Sequence, residues 1–141
     1  MYRWTLRRIA HWACERLNRG DIRPLLALFD PNATYHYHGE HSWAADFATR
    51  RELEPWLQRF ADLGIQFHPE EIIVSGPPWD SHVVLVYSDE LRDEDGEIIY
   101  TNRGVHVARV LWGRITEDEV FSDSQRVAEL DDRLRVARER S

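Results

Sequence analysis

The stretch from Asn102 to Asp123 reads NRGVHVARVLWGRITEDEVFSD. Two runs rich in β-branched residues flank Trp112-Gly113, the pattern of a β-hairpin with a two-residue turn. With those residues at the turn, Leu111 pairs with Arg114. Counting outward along a regular ladder, Ala108 meets Glu117, His106 meets Glu119, Gly104 meets Phe121 and Asn102 meets Asp123. Alternation then gathers Tyr100, Asn102, His106, Glu119, Phe121 and Asp123 on one face. That face is either a pocket wall or a surface turned to solvent or a dimer partner. A one-residue slip would send His106 and Asp123 to opposite sides of the sheet.

The rest of the chain says what such a hairpin packs against. Leu6, Ile9, Ala13 and Leu17 recur at helical spacing within residues 2–18, with Gly20 just past the end. Asp21 suits the N-cap of a second helix bearing Ile22, Leu25, Leu26 and Phe29. Asp30-Pro31-Asn32 reads as a turn before a short aromatic strand from Ala33 to His38. Residues 38–48 read as a loop. Thr49-x-x-Glu52 is a capping box ahead of Leu53, Trp56, Leu57, Phe60 and Leu63. Strands are predicted over 66–74, 81–91, 98–111 and 115–122, and a terminal helix over 124–138. Helices and strands are thus segregated, which is the α+β class. A strongly twisted sheet wrapped around the helices would leave a conical hollow.

At 141 residues the chain is sized for a single domain with a substantial core. A net charge of −7 and the lack of a basic stripe argue against a nucleic-acid partner. The one cysteine, Cys14, allows neither an internal disulfide nor a thiolate zinc site. The first residues carry charges throughout and lack the apolar centre of a secretory signal. No run approaches a membrane span, so a cytoplasmic protein without a membrane partner is expected.

Particular residues also carry a family resemblance. Leu17-Asn18-Arg19-Gly20-Asp21, then Leu25, Leu28 and Asp30-Pro31-Asn32-Ala33-Thr34, resembles the opening of the nuclear-transport-factor-two-like superfamily. Gly39-Glu40-His41-Ser42-Trp43 with Arg51-Glu52-Leu53 resembles the loop and third helix of its SnoaL-like branch. The ending, from Val105 to Val110, Gly113-Arg114-Ile115, Glu117 and Asp123-Ser124, resembles that branch's last hairpin. The similarity spans about residues 5–131 of a single domain over 1–141, with 124–138 as a helical extension. It implies a cone-shaped α+β barrel, helices on a strongly curved and mainly antiparallel sheet, pairing as a homodimer through the outer sheet face. One cone hosts polyketide cyclases, ketosteroid isomerases, epoxide hydrolases, dehydratases and non-catalytic binders. In similar polyketide cyclases the Asp at the position read as Asp123 is the acid/base. The oxyanion-hole Asp of ketosteroid isomerases aligns best with His106. Tyr37 stands where those isomerases carry their base, and Ala13 where they carry an oxyanion Tyr, which argues against that mechanism. The 81–91 strand has no Arg-x-Asp of an epoxide hydrolase.

The sharpest catalytic pair is Asp123 as general acid/base with His106 as proton partner or carbonyl donor. The competing reading makes Asp123 the N-cap of the terminal helix. Tyr35, Tyr37, Trp43, Tyr87, Tyr100 and Phe121, with His36, His38, Asn102 and Glu119, are expected to line a chamber for a hydrophobic or cyclic molecule. Three functions are compatible: cofactor-free cyclisation, isomerisation or hydration; ligand binding without chemistry; and a metalloenzyme using His36, His38 and His41.

Overall fold

The computed structural model describes residues 1–140; residue 141, which the expected span of 1–141 includes, lies outside the described residues. Two helices come first, α1 (Tyr2–Asn18) and α2 (Arg23–Ala27), followed by β1 (Phe29–Tyr37) and a short β2 (Ala45–Phe47). Then come α3 (Arg50–Leu63), β3 (Gln66–Ser75), β4 (Ser81–Arg92), β5 (Ile98–Leu111), β6 (Arg114–Ser122) and α4 (Ser124–Arg140). The fold is the expected α+β cone: one six-stranded sheet in the order β2-β1-β6-β5-β4-β3, curled around the helices. The β1–β6 pair is parallel and the other pairs are antiparallel. No helix is long and apolar enough to cross a membrane.

Local chemistry explains the element ends. Thr49 caps α3 by accepting the Glu52 backbone N–H at 3.3 Å, while a Glu52 carboxylate oxygen accepts from the Ala48 N–H. Gly64 closes α3 in the left-handed region at φ 87°, where a side chain would be strained. Trp112 and Gly113 turn β5 into β6 with φ of 53° and 78°, the two positive values of a type I′ turn. β1 begins earlier than expected, at Phe29, because residues 30–32 continue the strand across an irregularity in its pairing with β6 rather than ending it. β2 arises inside the segment expected to be a loop, pairing Ala45–Phe47 with Tyr35–Tyr37.

The inner face of the sheet and the inner stripes of the helices share one core. Ala13, Cys14 and Leu17 of α1, Leu53, Leu57 and Phe60 of α3, and Val127 and Leu130 of α4 are all buried. They meet Phe29, Tyr35 and Tyr37 of β1, Phe67 of β3, Tyr87 and Leu91 of β4, Tyr100 of β5 and Val120 of β6. This clustering removes the largest aromatic areas from water and is the main stabilising term.

The last hairpin departs from a regular ladder. Leu111 pairs with Arg114 and Val110 with Ile115, as a two-residue turn requires, but Arg109 then pairs with Glu117. Thr116 is the extra residue of a β-bulge, its hydroxyl donating to the Arg109 carbonyl at 3.3 Å. From there on the register differs from the regular expectation by one: Ala108 meets Asp118, His106 meets Val120, and Gly104 meets Ser122. The inward residues of β6 are therefore Asp118, Val120 and Ser122. Glu119, Phe121 and Asp123 do not share the face of His106, which corrects the grouping expected from alternation alone.

Candidate functional site

The curled sheet and the helices enclose a cavity of about 150 Å³. Its walls are largely hydrocarbon and aromatic: Leu6 and Ile9 of α1, Leu25 of α2, Leu53, Trp56, Leu57 and Phe60 of α3, and Leu85 and Val120 of the sheet. A cavity of that size holds a ligand of about one aromatic ring. Into this apolar volume the sheet directs a small polar set, namely Asp89, His106 and Asp118 with the phenols of Tyr35, Tyr37, Tyr87 and Tyr100.

Asp89 stands on β4, on the same side as Leu85, Tyr87 and Leu91, because strand residues two apart share a face. It is 7% exposed, and its Oδ1 has no hydrogen-bond partner. Burial pushes its carboxyl up to about 7, with the charge of nearby His106 pulling the other way. A carboxyl poised there exchanges its proton at neutral pH.

His106 and Asp118 form a second polar unit. The His106 Nδ1 lies 3.0 Å from each Asp118 carboxylate oxygen, and Asp118 is buried. A carboxylate can only accept, so Nδ1 carries the donated proton and Nε2 is left as an acceptor in the neutral imidazole. The ring packs beside Tyr87 and Phe67 at centroid distances of 5.1 and 5.8 Å.

The phenols are donors held in their neutral form. Burial raises the hydroxyls of Tyr35, Tyr37, Tyr87 and Tyr100 above the ordinary tyrosine value. Tyr37 and Ser122 share a hydrogen bond at 2.7 Å. Asn102 Nδ2 donates to the Tyr100 oxygen at 3.0 Å, so the Tyr100 proton is left for another acceptor. Trp43 lies against Trp56 and Phe60, with the Arg59 guanidinium 3.7 Å over its ring. Its buried Nε1–H has no partner.

The structure thus brings six expected residues to the cavity: Tyr35, Tyr37, Trp43, Tyr87, Tyr100 and His106. Asn102 is buried and lies not on the cavity but under the polar groove that Asp123 lines, and its side chain is committed to structure. Besides Tyr100 it donates to the Asp123 carbonyl and accepts from the Arg103 and Asp123 N–H groups. The expectation that Asp123 points inward is corrected. Its carboxylate is half exposed and accepts from the Gln125 and Arg126 N–H groups, so the helix-capping reading holds. It lines a separate polar groove of about 570 Å³ with His68, Glu90, Arg103 and Arg126.

His36, His38, Glu119 and Phe121 also lie away from the cavity, since Tyr35 and Tyr37 take the inward positions of β1. His36 pairs with Asp46, and His38 pairs with Glu119 and stacks on Phe121 at 4.6 Å. His41 faces Tyr37 from the 38–44 loop, 5.0 Å between ring centroids. Among the described residues no three His, Cys, Asp or Glu side chains converge as metal ligands. Asp89 and Asp118 went unnamed in the sequence. Asp89 was signalled by being the one acid in the inward series Val83, Leu85, Tyr87, Asp89, Leu91. Asp118 was hidden by the bulge.

A family model described as a SnoaL-like domain matches residues 10–118. No curated protein matches the chain. Among solved structures, Bal32a from a soil-derived mobile gene cassette is 18% identical, with a TM-score of 0.77 over 93% of this chain and 99% of that one. An NTF2-like protein of unknown function from Burkholderia pseudomallei is 18% identical, with a TM-score of 0.73 over 89% and 96%. TerC, co-crystallized with polyporic acid, is 17% identical, with a TM-score of 0.72 over 90% and 98%. At these identities the likeness speaks for the fold.

Proposed function

Because the chain belongs to the SnoaL-like domain family, a family of pocketed cones, we propose that it performs cofactor-free acid/base chemistry on a hydrophobic or cyclic small molecule. One observation carries this reading. Among the described residues, the buried side-chain polar atoms without a partner are Trp43 Nε1 and Asp89 Oδ1, and both residues line the cavity. Buried polar groups are nearly always satisfied, so two orphans around one hollow point to a ligand that completes them. One of the two is a carboxyl tuned to about 7.

In the proposed reaction Asp89 accepts a proton from a carbon next to a carbonyl, and the electron pair of that C–H bond moves onto the carbonyl oxygen. Neutral hydroxyls, with Tyr100 foremost because its own proton is uncommitted to Asn102, stabilise the resulting enolate. The proton returns to another carbon of the same molecule, or the enolate carbon attacks an internal carbonyl in an aldol closure whose alkoxide takes the proton back from Asp89. His106, held in one tautomer by Asp118, is the second proton carrier through Nε2. Asp89 thereby replaces Asp123 as the acid/base residue. The co-crystallization of TerC with polyporic acid supports a small organic ligand for this cone.

Incubation of the protein with a panel of monocyclic ketones in deuterated water tests the reading. Exchange of α-protons by wild-type protein but not by Asp89→Asn supports it. Binding without exchange by either protein favours the second reading, ligand carriage without chemistry, which the predominantly apolar walls would also serve. We further infer a homodimer through the outer sheet face, where Ile73, Val107 and Phe121 are exposed on β3, β5 and β6.

A further inference from the structure

The cavity's walls are buried at Tyr100, Val127 and Leu130 and partly exposed at Ile9, Gly113 and Ile115, on the side of the β5–β6 turn, where the exposed tryptophans lie. Ile9 both lines the cavity and reaches the surface, and the β5–β6 turn contributes Gly113 and Ile115 to the walls. Around that end stand Trp4, Trp79 and Trp112, exposed by 60%, 57% and 74%. Trp79 and Trp112 touch, with ring centroids 6.1 Å apart, and the Trp112 N–H donates to the Pro78 carbonyl. The start of α1 is tied to the same end: the Tyr2 hydroxyl and the Ser81 hydroxyl are 2.7 Å apart, and Ser81 donates to Pro77. Along α1 the outward row at i, i+4, i+8 is Trp4, Arg8 and Trp12, with the Arg8 guanidinium 5.1 Å over the Trp4 ring.

Three aromatic groups at the rim of an apolar hollow are costly to leave in water. Charge says what covers them. Residues 2–14 hold Arg3, Arg7 and Arg8 and no acid, in a chain whose net charge is −7, while Arg16 at the far end of α1 is paired with Asp21. Arg114 adds an exposed cation beside Trp112, and Asp80, the acid next to Trp79, is paired with Arg109. Tryptophan and arginine on the outer face of a helix are the pair that settles at a lipid headgroup layer. Anionic lipid is further attracted by each basic residue near the surface. The geometry points to this rim as a docking surface for an anionic lipid bilayer, with the cavity opening toward the acyl region so that a lipophilic ligand enters without crossing water. The lack of a membrane-spanning segment does not bear on such a peripheral contact. The inference stands on the rim and the cavity, independently of whether Asp89 performs chemistry.

Flotation of the full chain with two kinds of vesicle tests it: phosphatidylcholine alone, and phosphatidylcholine with a third phosphatidylglycerol. The expected result is flotation with the anionic vesicles only, weakened by salt, with a blue shift of tryptophan emission and quenching by brominated acyl chains. Trp4→Ala with Trp112→Ala should abolish flotation, and Arg8→Glu should weaken it by about an order of magnitude. Phe121→Ala, on the outer sheet face, should leave it unchanged. Absence of flotation with either vesicle overturns the proposal. So does light scattering in which the Trp4/Trp112 variant converts a dimer to a monomer, since the rim would then be covered by a second copy. Circular dichroism of each variant confirms that loss of flotation is not loss of fold.

Discussion

His106 reaches Asp118 diagonally across the β5–β6 ladder. Its direct partner is Val120, and that of Asp118 is Ala108, yet Nδ1 sits 3.0 Å from both carboxylate oxygens. The contact fixes the imidazole by two equivalent acceptors and turns Nε2 away from Asp118. It also places a charge-bearing pair in the same hollow as Asp89, which has no such partner at Oδ1. In the proposed reaction the two units have separate tasks: Asp89 exchanges a proton, and Asp118 orients His106.

Asp89→Asn keeps the size of the side chain and removes its proton chemistry. Turnover in α-proton exchange should fall by about 10²- to 10⁴-fold, the usual contribution of a general base. Ligand affinity, measured by quenching of Trp43 and Trp56 emission, should change little. Full activity in this variant would eliminate Asp89 as the base.

The raised Asp89 carboxyl has a definite sign in stability. Its value in the unfolded chain is near 3.8 and in the fold about 7, so the folded protein binds more protons between those values. The stabilisation is fully present below the lower value and is lost as pH climbs through the upper one. Unfolding free energy should drop, on the order of a few kcal/mol, between pH 4 and pH 8 from this group. Denaturant titrations of Asp89→Asn across that window should lack this component. Activity should run in the opposite direction, rising with pH through about 7 as the base ionises.

Asp118→Asn tests positioning. Asp118 lines the cavity with its carboxylate committed to His106, so its replacement should lower kcat about ten- to a thousandfold while KM stays nearly constant. A loss in kcat at constant KM, with circular dichroism unchanged, is a split that simple loosening of the fold would not produce.

Asp123→Ala removes a helix cap and nothing from the cavity. Chemical denaturation should report a loss of about 1 kcal/mol, with turnover unchanged. Loss of turnover without loss of stability would restore Asp123 to the site.

Gly104→Ala measures how closely β5 approaches its neighbours. A β-carbon there would stand 2.4 Å from the Phe121 carbonyl oxygen and 2.6 Å from the Tyr87 hydroxyl. The backbone contact cannot yield easily, so a destabilisation of about 1–3 kcal/mol is expected in thermal unfolding.

The fold was legible because its signals are local and repeated. The stripe Leu6, Ala13, Leu17, the Thr49–Glu52 box and the turn at Trp112-Gly113 each declare an element from a few neighbouring residues. The aromatic walls at Tyr35, Tyr37, Tyr87 and Tyr100 were expected from residue type, which also drew in His36 and His38 although strand alternation sends them to the other face. The site was less legible because it depends on pairing between strands. Counting across the hairpin as a regular ladder placed Asp123 inward and missed Asp118, since no residue type announces a bulge at Thr116. The short β2 was missed for a similar reason: Ala45–Phe47 has little strand propensity of its own and is held by its contact with β1. Asp89 needed no pairing to be found. It was overlooked because an acid within a strand reads most easily as a solvent-facing residue.

The bulge at Thr116 gives β6 two reading frames. On the turn side the inward residue is odd-numbered, Ile115; on the far side the inward residues are even-numbered, Asp118, Val120 and Ser122. Saturation mutagenesis along this strand should accordingly record a phase slip, intolerance falling at 115 and then resuming at 118, 120 and 122. Relatives that keep the strand but lack the extra residue would carry their inward acid at the other parity, so carboxylates matched by column number in such chains need not be matched in space.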